Sequence, residues 1–226
     1  MSPKSNLTGL LASGATLLLL TSAAQSEPPP VQSVQEAGQR HRVFVMPSDS
    51  MLPTLISQDR LLVDTQPKTA WQRGDIVVIK VRQEQWLKRI VGLPGDRIVM
   101  RNGQVVLNGK AVSQQFDSEI ELPSESGVPA QKASKLSEQF PGEVRPHQIL
   151  DLGRRSLDDT NEVLLGPNQY FLLGDNRDNS ADSRMADQPR LGLGLVDRKQ
   201  LYGRATYRFW RSANGFDLVA LQPQAQ

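Results

Sequence analysis

Asn102-Gly103 sits between two short apolar runs, Arg97-Ile98-Val99-Met100 and Gln104-Val105-Val106-Leu107. An Asn-Gly pair tolerates the positive φ that a two-residue hairpin turn demands, so this stretch predicts two antiparallel strands joined by a tight turn. Asn108-Gly109 supplies a second turn at once. The same pattern recurs along the chain. Arg42–Met46, Arg60–Asp64 and Ile76–Val81 are short runs rich in β-branched and aromatic residues. The last of them is almost continuously apolar, which predicts a strand buried on both faces. Glu162–Leu165, Gln169–Leu173 and Gly203–Trp210 return to strand character further on. Short strands bounded by Gly-bearing turns restrict the chain to a mainly β architecture. At 226 residues, 38% of them hydrophobic, the chain suffices for one core, or one core with an inserted lobe. That insertion is expected at about 113–161, where Ser, Gln, Glu and Pro replace the apolar runs. We read it as an irregular excursion, with Gln131–Phe140 as a short helix. No internal repeat is found.

Composition removes several kinds of chemistry. The formal charge is only +2 and no basic run is interleaved with aromatics, so nucleic acid is not an expected partner. The absence of cysteine excludes disulfides, thiol nucleophiles and thiolate metal sites. The two histidines, His41 and His147, lie in polar stretches and are expected at the surface. No histidine pair at helical spacing begins a metal site, and no cofactor or metal is expected.

The N-terminus is organised differently. Leu7–Ala24 carries no charge and is richest in leucine at Leu17–Leu20, after a short start bearing Lys4. Two readings of residues 1–24 stay open: a membrane anchor with Lys4 inside, or a cleaved leader ending near Ser22-Ala23-Ala24. Residues 25–40, with Pro28-Pro29-Pro30 and many Gln and Ser, read as a tether. Residues 41–226 then form the functional domain.

Met46-Pro47-Ser48-Asp49-Ser50-Met51-Leu52-Pro53 places two serines one residue apart between two prolines. Proline holds φ near −65° and pushes its predecessor toward extended geometry, so the segment reads as an ordered turn. In an extended chain residues i and i+2 face the same way, which puts Ser48 and Ser50 together. Serine near proline is also common in ordinary turns. Lys88 lies between Leu87 and Ile90 on a strand-like run, with Trp86 on its face and Arg89 on the other. Burial against apolar neighbours lowers a lysine pKa and equips it as a base; an edge-strand lysine with its head in water is the commoner reading of such a residue taken alone. Gly174–Arg184 is a polar, charged loop that directly follows a buried strand, a common position for catalytic supports.

Four blocks in this order resemble the bacterial type I signal peptidases: Pro47–Leu55, Arg73–Val77, Leu87–Asp96 and Gly174–Arg184. The resemblance covers most of Val43–Trp210. It implies a fold of two antiparallel sheets with the inserted excursion, preceded by one hydrophobic N-terminal helix. It implies a serine endopeptidase in which Ser50 attacks and Lys88 is the general base. Ser48 is the implied oxyanion donor and Ser180 the residue that orients the Lys88 amine. Asp175 with Arg89, and Asp182 with Arg184, are the implied supporting ion pairs. Met46, Pro47, Met51, Leu55, Trp86 and Leu87 match the substrate pocket. The implied substrates are exported preproteins with small residues at positions −3 and −1 of the cut. The implied setting is a single-pass membrane protein beside lipid and export machinery, its catalytic domain on the extracytoplasmic face.

Two departures from the family pattern stand out. Asp49 occupies the position between the serines where the family commonly carries a small residue, and alternation is expected to turn it away from the site. After Arg184 the chain runs long and polar through Met185–Gly194 where an aromatic and glycine are usual. These departures motivate two alternatives: an inactive relative that binds signal peptides without cutting, and a Ser/Lys protease dedicated to a narrower exported substrate.

Overall fold

The structure is a computed structural model that describes residues 40–123, 129–185 and 192–221. The expected anchor or leader, and the tether up to residue 39, lie outside the described residues. Among the described residues no helix is long and apolar enough to cross a membrane.

The first strands are β1 (His41–Val45), β2 (Arg60–Asp64), β3 (Ile76–Val81) and β4 (Glu84–Gly92). A hairpin follows, β5 (Arg97–Arg101) and β6 (Gln104–Leu107), with the short β7 (Lys110–Ala111) beside it. Asn102 and Gly103 join β5 to β6 with φ of 48° and 78°, the backbone the Asn-Gly pair predicts. Then come β8 (Ser113–Leu122), β9 (Gln131–Gln139), β10 (His147–Asp151), β11 (Val163–Leu164) and β12 (Gln169–Leu173). The chain closes with β13 (Val196–Asp197), β14 (Leu201–Arg211) and β15 (Gly215–Ala220).

These strands form antiparallel sheets. The largest runs β1-β2-β14-β3-β4-β12-β13, with β15 also paired to β14. A second sheet runs β11-β5-β6-β7 and a third β10-β9-β8. The architecture is mainly β, with three sheets where two were expected, because the inserted stretch builds its own.

That insertion corrects the sequence reading twice. It is not an irregular excursion between 113 and 151, and Gln131–Gln139 is a strand, not a helix. The absence of turn formers in 131–140 fits either element. Ala133, Leu136 and Phe140 are its only apolar residues, too narrow a stripe to hold a helix on its own. The stretch is held instead between two neighbours, β8 on one side and β10 on the other.

β3 shows why the large sheet is the heart of the molecule. Ile76 and Val78 pack on one face with Met46, Met51, Leu55, Leu61, Leu87 and Ala205. Val77 and Ile79 pack on the other with Trp71, Ile90, Leu172 and Leu201. Burial on both faces explains its unbroken apolar run. A third cluster joins β4 and β12 to the β5–β6 hairpin, and Phe140 reaches into it from the insertion.

Candidate active site

The turn after β1 is pinned from below. Met46, Met51 and Leu55 are fully buried in the cluster under the large sheet. Met46 N–H donates to the Asp59 carbonyl at 2.9 Å, and its own carbonyl accepts from Gln58 at 2.8 Å. Anchored at these points, the loop lifts Ser48, Asp49 and Ser50 above the core. Ser48 Oγ donates to Ser50 Oγ at 3.3 Å, so the two hydroxyls share a face. The Asp49 carboxylate turns the other way and accepts the Ser57 N–H at 2.8 Å.

Lys88 comes from β4, which presents it beside the turn. Its Nζ donates to Ser50 Oγ at 2.7 Å, and only 4% of the residue is exposed. The Trp86 ring lies 5.9 Å from Nζ. Burial pushes the Lys88 pKa down from 10.5 to about 8, against the opposing pull of Asp182 and Asp175. Desolvation wins because neither carboxylate pairs with the amine; each is committed to an arginine.

Those commitments are explicit. Arg89 Nε and Nη2 donate to Asp175 at 2.8 and 2.7 Å, and Nη1 donates to the Gly74 carbonyl at 2.7 Å. Thr54 Oγ1 donates to the same Asp175 at 2.6 Å, tying the serine loop to the pair. Burial pushes the Asp175 carboxyl up, but the Arg89 charge and hydrogen bonds outweigh it and hold it below its ordinary value. Arg184 Nε and Nη2 donate to Asp182 at 2.9 and 3.0 Å. Two bidentate arginines thus hold the carboxylates nearest the amine.

Asn176, which sequence reasoning left without a role, holds the serine turn directly. Its N–H donates to the Ser50 carbonyl at 3.1 Å and its Nδ2 to the Asp49 carbonyl at 3.1 Å. The residue stood in view inside the Gly174–Arg184 block; what the sequence lacks is any sign of which polar side chain there reaches back to the serines. Gly174 has its own constraint. A Cβ on it would meet Ser180 Oγ at 2.2 Å and the Ser50 carbonyl at 2.5 Å.

Ser180 differs from the expectation. Its hydroxyl is buried against Gly174 and finds no hydrogen-bond partner among the described residues. The Lys88 amine donates to Ser50 instead.

A cavity of about 500 Å³ opens over the two serines and Lys88, walled by Pro47, Trp86 and Leu87 and by Asn179 and Ala181 of the loop. Met46, Met51 and Leu55 do not line it. These three expected pocket residues are core, because apolar character alone does not say which side of a turn a side chain takes. Glu84 and Gln85 do line it, and Glu84 accepts the Trp86 indole N–H at 2.8 Å.

A buried ionic network lies behind the loop. Arg177 Nη1 donates to Glu138 at 3.0 Å and Nη2 pairs with its second oxygen. His147 is set between Glu138, at 3.3 Å, and Glu143, at 3.1 Å, and stacks on Phe140. The expected surface position of His147 is therefore corrected: its side chain is 8% exposed, drawn inward by two carboxylates. Among the described residues no group of His, Asp or Glu is arranged to hold a metal ion.

The arrangement supplies a hydroxyl nucleophile, a neutralisable amine in contact with it, and a second hydroxyl beside both. That is the equipment for acyl transfer. Comparison with known proteins agrees. Residues 40–210 match the family model described as signal peptidase, peptidase S26. The chain is 34% identical over 169 residues to signal peptidase I S of Bacillus subtilis, covering 74% of this chain and 76% of that protein. It is 33% identical to signal peptidase I of Bacillus amyloliquefaciens, covering 74% and 75%. Against signal peptidase I of Pseudomonas aeruginosa it is 31% identical over 190 residues, covering 75% and 64%.

Proposed function

The chain belongs to the signal peptidase family, peptidase S26, and from that premise we infer how it works. It is a serine-type endopeptidase that cleaves signal peptides, with Ser50 as nucleophile and Lys88 as general base. The observation that carries the assignment is the 2.7 Å contact between Lys88 Nζ and Ser50 Oγ in a buried setting. A neutral Lys88 takes the Ser50 proton as Oγ attacks the scissile carbonyl carbon. The developing oxyanion is met by the Ser48 hydroxyl and the Ser50 N–H. Lys88 then gives its proton to the leaving amine, and the same amine activates the water that releases the acyl group.

The substrate is read as an added strand. On the β3 side β4 is paired from Glu84 to Arg89, yet β12 begins to pair with it only at Arg89. Among the described residues Glu84–Lys88 therefore has an open edge beside the cavity. A peptide upstream of the cut lies along it, its small side chains at −3 and −1 facing the space by Pro47, Trp86 and Leu87. Residues 1–24 are assigned to the membrane, with the catalytic domain on the extracytoplasmic face beside lipid and export machinery.

The test is cleavage of a mixed set of preproteins, with product ends read by mass spectrometry, by the intact chain and by Ser50→Ala. Loss of all specific products in the variant is expected; unchanged products would sink the assignment. The same set separates a general peptidase from one dedicated to a narrow substrate.

The pH dependence has a definite sign. Lys88 must be neutral to act, and its pKa lies near 8. So kcat/KM is expected to rise with pH and to level off above about 8. A profile flat between pH 6 and 9, on the order of one or two units either side of neutral, would count against Lys88 as the base.

Asn176→Ala is expected to lower kcat about tenfold with a smaller change in KM, because the serine turn loses the Nδ2 tie to the Asp49 carbonyl while the backbone tie to Ser50 remains. Equal kcat in steady-state assays would show that the turn holds itself.

A further inference from the structure

A second cavity, of about 730 Å³, shares Asn179 with the first and has Asp49 in its wall. The two spaces therefore flank one turn: Ser48 and Ser50 face the first, and the residue between them faces the second. Leu52 from the serine loop, and Leu122 and Leu152 at the ends of β8 and β10, give the second cavity apolar sides. Its charged groups are Asp49, Asp178 and, opposite in sign, Arg155. Each carboxylate is fixed by one backbone donor: Asp49 by Ser57 N–H at 2.8 Å, Asp178 by Leu152 N–H at 2.7 Å. The other oxygen of each makes no hydrogen bond among the described residues. Burial and the nearby charges of Asp151 and Asp158 push the Asp178 carboxyl up, so an arriving cation relieves a local excess of negative charge.

The first cavity and the open edge of β4 accommodate the chain before the cut. The two cavities adjoin at Asn179 with the serine turn between them, so the second is a space open to a chain that continues beyond Ser50. An extended chain advances about 3.3 Å per residue, so a space this size takes roughly three or four residues.

We propose that the second cavity binds the residues that follow the cut, the new amino end of the mature chain, and favours a cationic side chain among them. This rests on the signal-peptide-cleaving function inferred above. The apolar sides hold the backbone stretch, and Asp49 with Asp178 selects its charge. Asp49, the residue that departs from the family pattern, thereby gains a task distinct from the chemistry next to it.

The test uses peptides that share one upstream sequence and carry Lys or Glu at the second and third positions after the cut. For the intact chain, kcat/KM is expected to favour the Lys peptide about tenfold. In Asp49→Asn/Asp178→Asn, whose amide oxygens keep the two backbone bonds, the ratio is expected to fall close to one. Taking the ratio within each protein cancels any general loss of rate. A second measurement involves no chemistry: six-residue peptides beginning at the new amino end are titrated onto Ser50→Ala. The Lys form is expected to bind about tenfold tighter than the Glu form, and the difference to vanish in the triple variant. Equal binding of the two forms, or a Lys preference that survives the two Asp substitutions, overturns the proposal while normal cleavage leaves the function intact. Absence of any preprotein cleavage strikes at the function itself, and the assignment of the cavity to a product end falls with it.

Discussion

Lys88→Met is expected to abolish cleavage, lowering kcat by about 10⁴-fold or more, and at the same time to make the protein more stable at neutral pH. Both effects come from one burial. The amine is 4% exposed and has a pKa near 8, well below 10.5. A group whose folded pKa is depressed in this way is a cationic group the fold would rather have neutral. The unfolded chain binds more protons between pH 8 and 10.5, so wild-type stability rises with pH across that window. Below it the folded state carries the whole cost of a buried ammonium, roughly 3 kcal/mol for a drop of this size. Methionine fills similar space without the charge, and the loss of one hydrogen bond to Ser50 offsets part of the gain. Urea unfolding at pH 7 together with the cleavage assay checks the pair of outcomes. A variant both inactive and destabilised would mean that the amine is held by favourable partners, not strained by burial. A variant that still cuts would remove Lys88 from the mechanism.

Glu138→Gln is expected to be the most destabilising conservative change in the insertion, by about 3–5 kcal/mol. Glu138 is fully buried and Arg177 is 4% exposed, and they face each other with two hydrogen bonds. Burial pushes the Glu138 carboxyl up, but the Arg177 charge and the bonds from His147 and Arg177 hold it well below its ordinary value of 4.5. The contribution to stability is therefore complete above about pH 4.5 and is lost as pH falls below it. Removing the negative charge strands a guanidinium in the interior beside His147. Arg177 also donates to the Gly174 carbonyl at 3.2 Å, and its own carbonyl accepts from Arg184, so the damage reaches the catalytic loop. Thermal unfolding at pH 7 reads the effect; a domain of this size moves about 2–4 °C per kcal/mol. A shift of less than about 2 °C would show that the ion pair is not a structural tie.

The parts of the molecule that could be read from sequence are those where local rules and global fold agree. The Asn102-Gly103 turn, the doubly buried β3 and the polar loop after β12 each follow from a short stretch of chain. The roles expected of Ser50 and Lys88 came from the resemblance of four ordered blocks, because a serine near proline and a strand lysine are each ordinary in isolation. What could not be read depends on partners far away in sequence. β9 is a strand because β8 and β10 flank it, and nothing within 131–139 says so. Met46, Met51 and Leu55 are core and not pocket because β2, β3 and β14 lie beneath them. His147 is buried because Glu138 and Glu143 come to meet it. Asn176 matters because its hydrogen-bond partners lie in residues 49 and 50.

The open half of β4 has a consequence for generality. A strand edge recognises any extended chain through amides and carbonyls that every residue possesses, so the attachment it provides is blind to sequence. On the strand-addition reading proposed above, discrimination upstream of the cut then comes from the few side chains of the peptide that point down into the space by Pro47, Trp86 and Leu87. An enzyme built this way can serve a large and diverse clientele, tolerant at most positions and strict at one or two.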